Sequence, residues 1–244
     1  FSHNMTHPST VVYLEHDGKV LLVDEDGNGP LLPIKGRQQG GVTLRFPTIE
    51  EVAKRGIEYE EKMTMSIVFP DIQIFVIKGY PKLEWPANWA WKDSVISDNC
   101  VHPVVREAIY RCIHRLVSKV IIKNDQNKIL MAKVMRGHFK GLWTLPGGYM
   151  DHDEEPSEGC VRETFEELGI EITLNKNAPV ITQQIFNDEG VSFVSFTYQA
   201  SWNGTVEDMN LLTEEIADAR WFTFEEATAN AVSFFDSEAL KNHN

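Results

Sequence analysis

Short apolar runs separated by turn residues mark the first hundred positions as β-rich. Thr10–Leu14 reads as a strand, His16-Asp17-Gly18 as a turn, and Lys19–Val23 as the return strand. A polar loop, Asp24–Gly29, follows. Pro47 and Thr48 then open an expected helix over Ile49–Glu61. Thr64–Phe69 and Ile72–Lys78 read as two more strands. From Gly79 to Asn99 the periodicity fails around Pro81, Pro86, Trp85, Trp89 and Trp91. This stretch is expected to be a structured connector whose tryptophans cover a domain or subunit interface. Pro103 begins an amphipathic helix, with Val105, Ala108, Ile109, Cys112, Ile113 and Leu116 at i, i+3, i+4 spacing. His102 and His114 lack metal-ligand spacing and are read as surface or capping residues. A second unit is expected from Lys119: strand Val120–Ile122, turn Asp125–Asn127, strand Lys128–Ala132, a basic loop Lys133–Lys140, and then Leu142–Gly148. The two halves echo each other. Val11-Val12 before Lys19–Leu22 parallels Val120-Ile121 before Lys128–Met131, and Gly29–Pro33 parallels Gly141–Pro146.

The totals narrow the function classes. The net charge of −13 argues against bulk binding to nucleic-acid backbones. No apolar run approaches the roughly 18 residues that span a bilayer, so no membrane partner is expected. Cys100, Cys112 and Cys160 are odd in number and without CxxC spacing, which points to a reducing cytoplasm rather than a disulfide framework. Phe1–Asn4 reads as a remnant ahead of a natural start at Met5, with no signal peptide visible.

The most informative segment is Gly148–Ile170, GYMDHDEEPSEGCVRETFEELGI. Glu163, Glu166 and Glu167 lie at i, i+3 and i+4, which on a helix puts three carboxylates on one face. Their mutual repulsion needs an offset, and a hard divalent cation supplies one. Pro156 suits the first turn of that helix and Gly169 its end. Val161, Thr164, Phe165 and Leu168 are expected to fill the packed side.

The same residues resemble the Nudix box, G-x5-E-x7-R-E-U-x-E-E-x-G-U. Gly148, Glu154, Arg162, Glu163, Glu166, Glu167, Gly169 and Ile170 fall on its fixed positions, and Thr164 replaces the first bulky apolar residue. The resemblance implies an α/β fold: a Nudix α/β/α sandwich on a mixed sheet over residues 118–236. A linking helix over 101–117 and a smaller β-rich domain over 5–100 precede it, the latter a possible degenerate copy of the same fold. It implies Mg2+- or Mn2+-dependent hydrolysis of a pyrophosphate bond in nucleoside diphosphate derivatives, which would be the small-molecule partner. It also implies Glu163, Glu166, Glu167 and the Gly147 carbonyl as metal ligands, with Arg162 holding a box glutamate in place. Glu163 is either a ligand or a proton acceptor. Glu154 either bonds within its loop or reaches metal through water. Glu215, in Glu214-Glu215-Ile216-Ala-Asp-Ala-Arg220-Trp221, matches a downstream acid often used as a further ligand or base, with Glu214 as its rival.

Substrate contacts are expected from Arg136, Lys140, Gly148 and Phe186, with Lys133 and His138 as further cations on the same loop. Trp143, Phe193 and Tyr198 read either as base-stacking or as core residues. The Thr182–Gly190 run lacks the Ser-Gln-Pro-Trp-Pro-Phe series of NADH pyrophosphatases, and no zinc-ribbon cysteine quartet is present. The alternative function is a non-catalytic, nucleotide-sensing module of the same fold. A homodimer is expected through the Trp-rich connector.

Overall fold

The structure, a computed structural model, describes residues 7–34, 43–98, 100–137, 139–186 and 190–243. The expected start at Met5, His138, Asn99 and part of the Thr182–Gly190 run lie outside the described residues. The chain divides into two compact units. Residues 1–113 with 186–191 form the first, and residues 114–185 with 192–244 form the second.

The first unit is built on β1 (Thr10–His16), β2 (Lys19–Val20), α1 (Ile49–Lys54), β3 (Tyr59–Phe69), β4 (Ile72–Pro81), β5 (Ala90–Trp91), α2 (Lys92–Val95) and α3 (Pro103–Arg111). Asp17 and Gly18 both take positive φ, 46° and 87°, so a two-residue loop returns β2 onto β1 with His16 opposite Lys19. Helix α1 is shorter than its expected span to Glu61. Thr48 caps it with Glu51 in a reciprocal capping box, and Gly56, at φ 67°, turns the chain out of the helix so that Tyr59 starts a strand. The Trp-rich stretch is more ordered than the sequence suggests. Trp89 is buried with Val12, Leu14, Leu21 and Val52, while Trp85 and Trp91 flank the Lys19 ammonium, which donates to the Trp89 carbonyl at 3.0 Å. His102 caps α3, its Nδ1 accepting from the Val104 N–H at 3.1 Å; burial, then the charges of His7 and Arg106, hold its pKa down to about 4.

The second unit contains β6 (Arg115–Lys123), β7 (Ile129–Val134), β8 (Trp143–Thr144), β9 (Gly147–Tyr149), α4 (Pro156–Leu168), β10 (Val180–Phe186), β11 (Val191–Ser201), β12 (Ile216–Phe222), α5 (Phe224–Asn230) and α6 (Phe234–Asn242). The expected helix reaching Leu116 instead stops at Arg111, because Arg115–Lys123 is committed as a strand to β11, in parallel register from Arg115 opposite Phe193 to Lys123 opposite Ser201. The sheet is mixed: β6 runs parallel to β11 and antiparallel to β7, and β7 runs antiparallel to β12. Val120, Ile122, Leu130, Cys160, Leu168 and Ile170 pack one face. Ile121, Ile129, Met131, Leu145, Phe222 and Leu240 pack the other.

The two units share one topology. Strand order is β3-β4-β1-β2-β5 in the first and β10-β11-β6-β7-β12 in the second. Counting only the five strands of each order, the first in chain order is parallel to the fourth and antiparallel to the second, which is antiparallel to the last; β8 and β9 are additional strands on β7 and β6. The match reaches single bonds. Val12 N–H donates to the Pro47 carbonyl at 2.8 Å, and Val120 N–H donates to the Pro146 carbonyl at 3.0 Å. Three residues before each proline, Leu44 bridges Val101 and Trp143 bridges Ala231, both in parallel sense. The counterpart of Pro146 is therefore Pro47 and not Pro33, as the sequence echo had it. One segment separates the copies. After Pro47, Thr48 caps α1 at once; after Pro146, the chain runs through Gly147–Glu155 before α4 begins.

Candidate active site

That extra segment and α4 make the site. Strand β9 pairs with β6 so that Gly147 lies opposite Lys119 and Gly148 opposite Ser118. The two glycines serve different ends. Gly147 sits at φ 141°, and a Cβ there would come within 2.2 Å of the Ser118 carbonyl oxygen. A Cβ on Gly148 would come within 2.8 Å of the Glu163 carboxyl carbon, so the bare backbone makes room for that carboxylate. Helix α4 lies close against β6, where Gly159 faces the Ser118 side chain and the Ser118 hydroxyl donates to the Pro156 carbonyl. Gly169 ends the helix at φ 69°.

Arg162 ties the segment together. Its Nε and Nη2 grip the two Glu154 oxygens at 2.8 Å each, Nη1 reaches Glu163 at 3.1 Å and Glu166 at 2.9 Å, and Nη2 also donates to the Tyr149 carbonyl at 3.0 Å. Glu154 accepts the Asp151 N–H as well, at 2.8 Å, which closes the loop on itself. The Arg162 bonds hold the Glu154 carboxyl down at about 2.

The remaining carboxyls are in the opposite condition. Glu167 is 8 % exposed and belongs to no ion pair among the described residues. Burial first, and the neighbouring Glu163 charge second, push its pKa up to about 8, against the Gly147 N–H, 3.5 Å from Oε2, and the Lys119 charge. Burial also raises Glu163, opposed by Arg162. The buried Glu167 carboxyl thus lacks an ion-pair partner beside an open glycine backbone, with the partly buried, Arg162-paired Glu163 next to it, a donor chemistry that fits a hard divalent cation. Among the described residues, no three acidic, histidine or cysteine side chains converge on one point. An ion there would draw its remaining oxygens from backbone, water or phosphate.

The other expected site residues separate. Glu166 is exposed and bonded to Arg162, not turned in with Glu167. Phe165, expected on the packed side of α4, is 54 % exposed; Cys160, Thr164 and Leu168 fill that side, and the Thr164 hydroxyl finds no partner there. Arg136 and Glu215 pair with each other, and the Met135 N–H donates to the Glu215 carbonyl at 2.7 Å. The preceding segment is laid along the end of α4 by Asn210 and Leu212 N–H bonds to the Leu168 and Glu167 carbonyls, both 2.9 Å. Lys140 is exposed, and Phe186 closes β10 in the stretch that clusters with the first unit. Trp143 packs edge-on against Phe222 with Arg220 over its ring. Phe193 lies between Tyr149 and Phe235, with centroids 6.1 and 6.2 Å away. Sequence reading passed over Lys119 and Asp236, which are paired beneath β9. The available signal was a lysine set directly against the apolar run Val120–Ile122.

A family model of the NUDIX domain matches residues 113–242, more than half of the chain. Among curated proteins, an 8-oxo-dGTP diphosphatase of Proteus vulgaris is 31 % identical over 58 residues, 24 % of this chain and 52 % of the relative. An ADP-ribose pyrophosphatase of Methanocaldococcus jannaschii is 46 % identical over 50 residues, 20 % of this chain and 29 % of the relative. The chain thus spans about half or less of the length of these relatives. A solved MutT NUDIX hydrolase from Burkholderia pseudomallei shares 24 % identity, covering 54 % of this chain and 99 % of its own, with a TM-score of 0.46. With the box residues gathered on β9 and α4 as described, and with the match extending across the whole second unit, the chain belongs to the NUDIX family.

Proposed function

We propose that the second unit is a pyrophosphohydrolase that uses Mg2+ or Mn2+ to cleave the pyrophosphate bond of nucleoside diphosphate-linked compounds. Water adds across the P–O–P linkage, giving a phosphorylated nucleoside and a second phosphorylated product. The observation that carries this reading is the buried Glu167 carboxyl, outside any ion pair among the described residues, with Glu163 beside it, against the side-chain-free backbone of Gly147 and Gly148. Glu167, Glu163 and the Gly147 carbonyl would hold the ion, with Glu166 joining on release from Arg162. When bound, a divalent ion neutralises phosphate oxygens and acidifies a water. Glu167, whose carboxyl is held up at about 8, would hold the ion in its deprotonated form. Glu163 either shares in holding the ion or accepts the proton of the attacking water, which its raised pKa suits. Arg162, fixed by Glu154, keeps β9 and α4 in register through the reaction. Glu215 is the second candidate base and acts only after leaving Arg136. Arg136 and Lys140 supply exposed cations for the substrate's phosphates. The matched relatives named 8-oxo-dGTP diphosphatase and ADP-ribose pyrophosphatase support a nucleotide diphosphate substrate class. The reduced thiols of Cys100, Cys112 and Cys160 support a cytoplasmic setting.

The test is incubation with a panel of nucleoside di- and triphosphate derivatives, with and without Mg2+, and identification of products. Metal-dependent cleavage by the parent, reduced by orders of magnitude in Glu167→Gln, is expected. A ligand that binds yet stays whole in Mg2+ would replace this reading with a sensing module.

A further inference from the structure

Lys119 and Asp236 form an ion pair inside the second unit, Nζ to Oδ1 at 2.7 Å and to Oδ2 at 2.9 Å. Asp236 is fully buried and Lys119 is 8 % exposed. Asp236 Oδ2 also accepts the Leu145 N–H at 3.0 Å, two residues ahead of Gly147. Ser233, whose hydroxyl accepts the Asp236 N–H at 3.1 Å, fixes the start of α6. Lys119 faces Gly147 directly across the β6–β9 ladder, and a Cβ on Gly147 would come within 2.7 Å of the Lys119 Cα. The pair therefore grips the strand of the site from both sides: at Leu145 through Asp236, and opposite Gly147 through Lys119.

A buried ion pair is a poor way to stabilise a fold, since well-packed apolar side chains do as well or better. The chain itself supplies that comparison. The matched bonds to Pro47 and Pro146 set Val12 against Val120, so the counterpart of Lys119 is Val11. Val11 is fully buried and shares one apolar cluster with Val104, Val105 and Ala108 of α3. The first unit builds the same strand order without a charge at this position and lacks the Gly147–Glu155 segment. The pair thus occurs in the copy that carries the carboxylate site.

We propose that Lys119 and Asp236 are positioning residues of the hydrolase site, holding the Leu145–Gly148 backbone at the spacing from α4 that Glu163 and Glu167 need. Neither residue touches the reacting atoms. This rests on the metal-dependent reading above, and the experiment separates the two. The variant Lys119→Val/Asp236→Leu replaces the pair by the apolar arrangement of the first unit and keeps the net charge. Because the Lys119 charge also acts on Glu167, ion binding is read together with β9 exchange, which reports geometry and not field. Three quantities are measured in parent and variant: the melting temperature, the Mn2+ dissociation constant by electron paramagnetic resonance, and hydrogen exchange at the Gly147–Tyr149 amides.

The variant is expected to melt no lower than the parent, to bind Mn2+ at least tenfold more weakly, and to exchange the β9 amides at least tenfold faster. A folded variant with Mn2+ affinity within twofold and unchanged β9 exchange would show the pair to be dispensable to the site. A variant that fails to fold would overturn the claim equally, since the pair would then serve the fold. If the parent itself binds no Mn2+, the metal-dependent reading fails, and β9 exchange alone decides the positioning role.

Discussion

Replacing Arg162 with Met keeps the length of the side-chain stem and deletes polar contacts to five partners at once: Glu154, Glu163, Glu166, Asp151 and the Tyr149 carbonyl. The magnitude follows from which partners are sheltered. Glu166 and Asp151 are more than half exposed, so their pairs are worth about 0–1 kcal/mol each. Glu154, with a side chain 11 % exposed, loses a two-pronged, charge-assisted pair, and the Tyr149 carbonyl loses its donor. Charge-assisted bonds contribute about 1.5–3 kcal/mol each and do not add when they share one donor. A net loss of about 2–4 kcal/mol at pH 7 is expected, or about 4–16 °C in melting temperature for a chain of this size.

The pH dependence distinguishes this cause from a packing loss. Arg162 holds Glu154 at about 2 against an ordinary 4.5. A depressed carboxyl stabilises the fold above its unfolded pKa and loses that contribution as pH falls through its folded pKa. The difference between parent and variant should therefore be full at pH 7 and narrow between pH 4.5 and 2. Urea titrations at pH 7 and pH 3 measure it. A loss below 1 kcal/mol at pH 7, or one of equal size at pH 3, would refute the role assigned to the guanidinium.

Three further outcomes are expected. Without metal, Glu167→Gln should be at least as stable as the parent at pH 8–9. The parent's raised carboxyl stabilises it fully below pH 4.5 and loses that contribution as pH rises through about 8; melting in chelator across pH 5–9 tests this, and parallel curves would contradict it. Gly147→Ala should cost at least about 2 kcal/mol, because a methyl meets the Ser118 carbonyl at a φ unfavourable to alanine; chemical denaturation with a loss below 0.5 kcal/mol would count against that geometry. Glu51→Gln should destabilise the first unit by about 1–3 kcal/mol. It leaves the buried Arg45 without a counter-charge, and it removes a carboxylate that the Arg45 and Thr48 bonds hold at about 2 despite burial; Mn2+ affinity in the second unit should stay the same, which a binding titration would show.

Helix α4 was legible because local rules agree there: Pro156 at its start, Gly169 at its end, and acids spaced at one helical turn. Periodicity did not reveal which acid turns inward. Glu166 and Glu167 are neighbours in sequence, yet Glu167 is buried facing the Gly147 N–H and within the field of Lys119, while Glu166 is exposed with Phe165. The overlong α1 and α3 have a common cause, since strand pairing claimed Tyr59 and Arg115 from apolar patterns that also suit a helix. The β5 strand was hidden because Ala90-Trp91 is too short to show alternation and is held by pairing with Lys19-Val20. Asp236 fell outside notice because its partners, Lys119 and Leu145, are remote in the chain.

In the first unit Pro47 hands the backbone straight to the N-cap Thr48, whereas in the second eight residues, Gly147–Glu154, lie between Pro146 and the N-cap Glu155. The same strand order closes in the first unit without the extra eight, so the sheet does not depend on their presence. Substitutions along that stretch can therefore reshape the cleft beside α4 while the layers beneath keep their order.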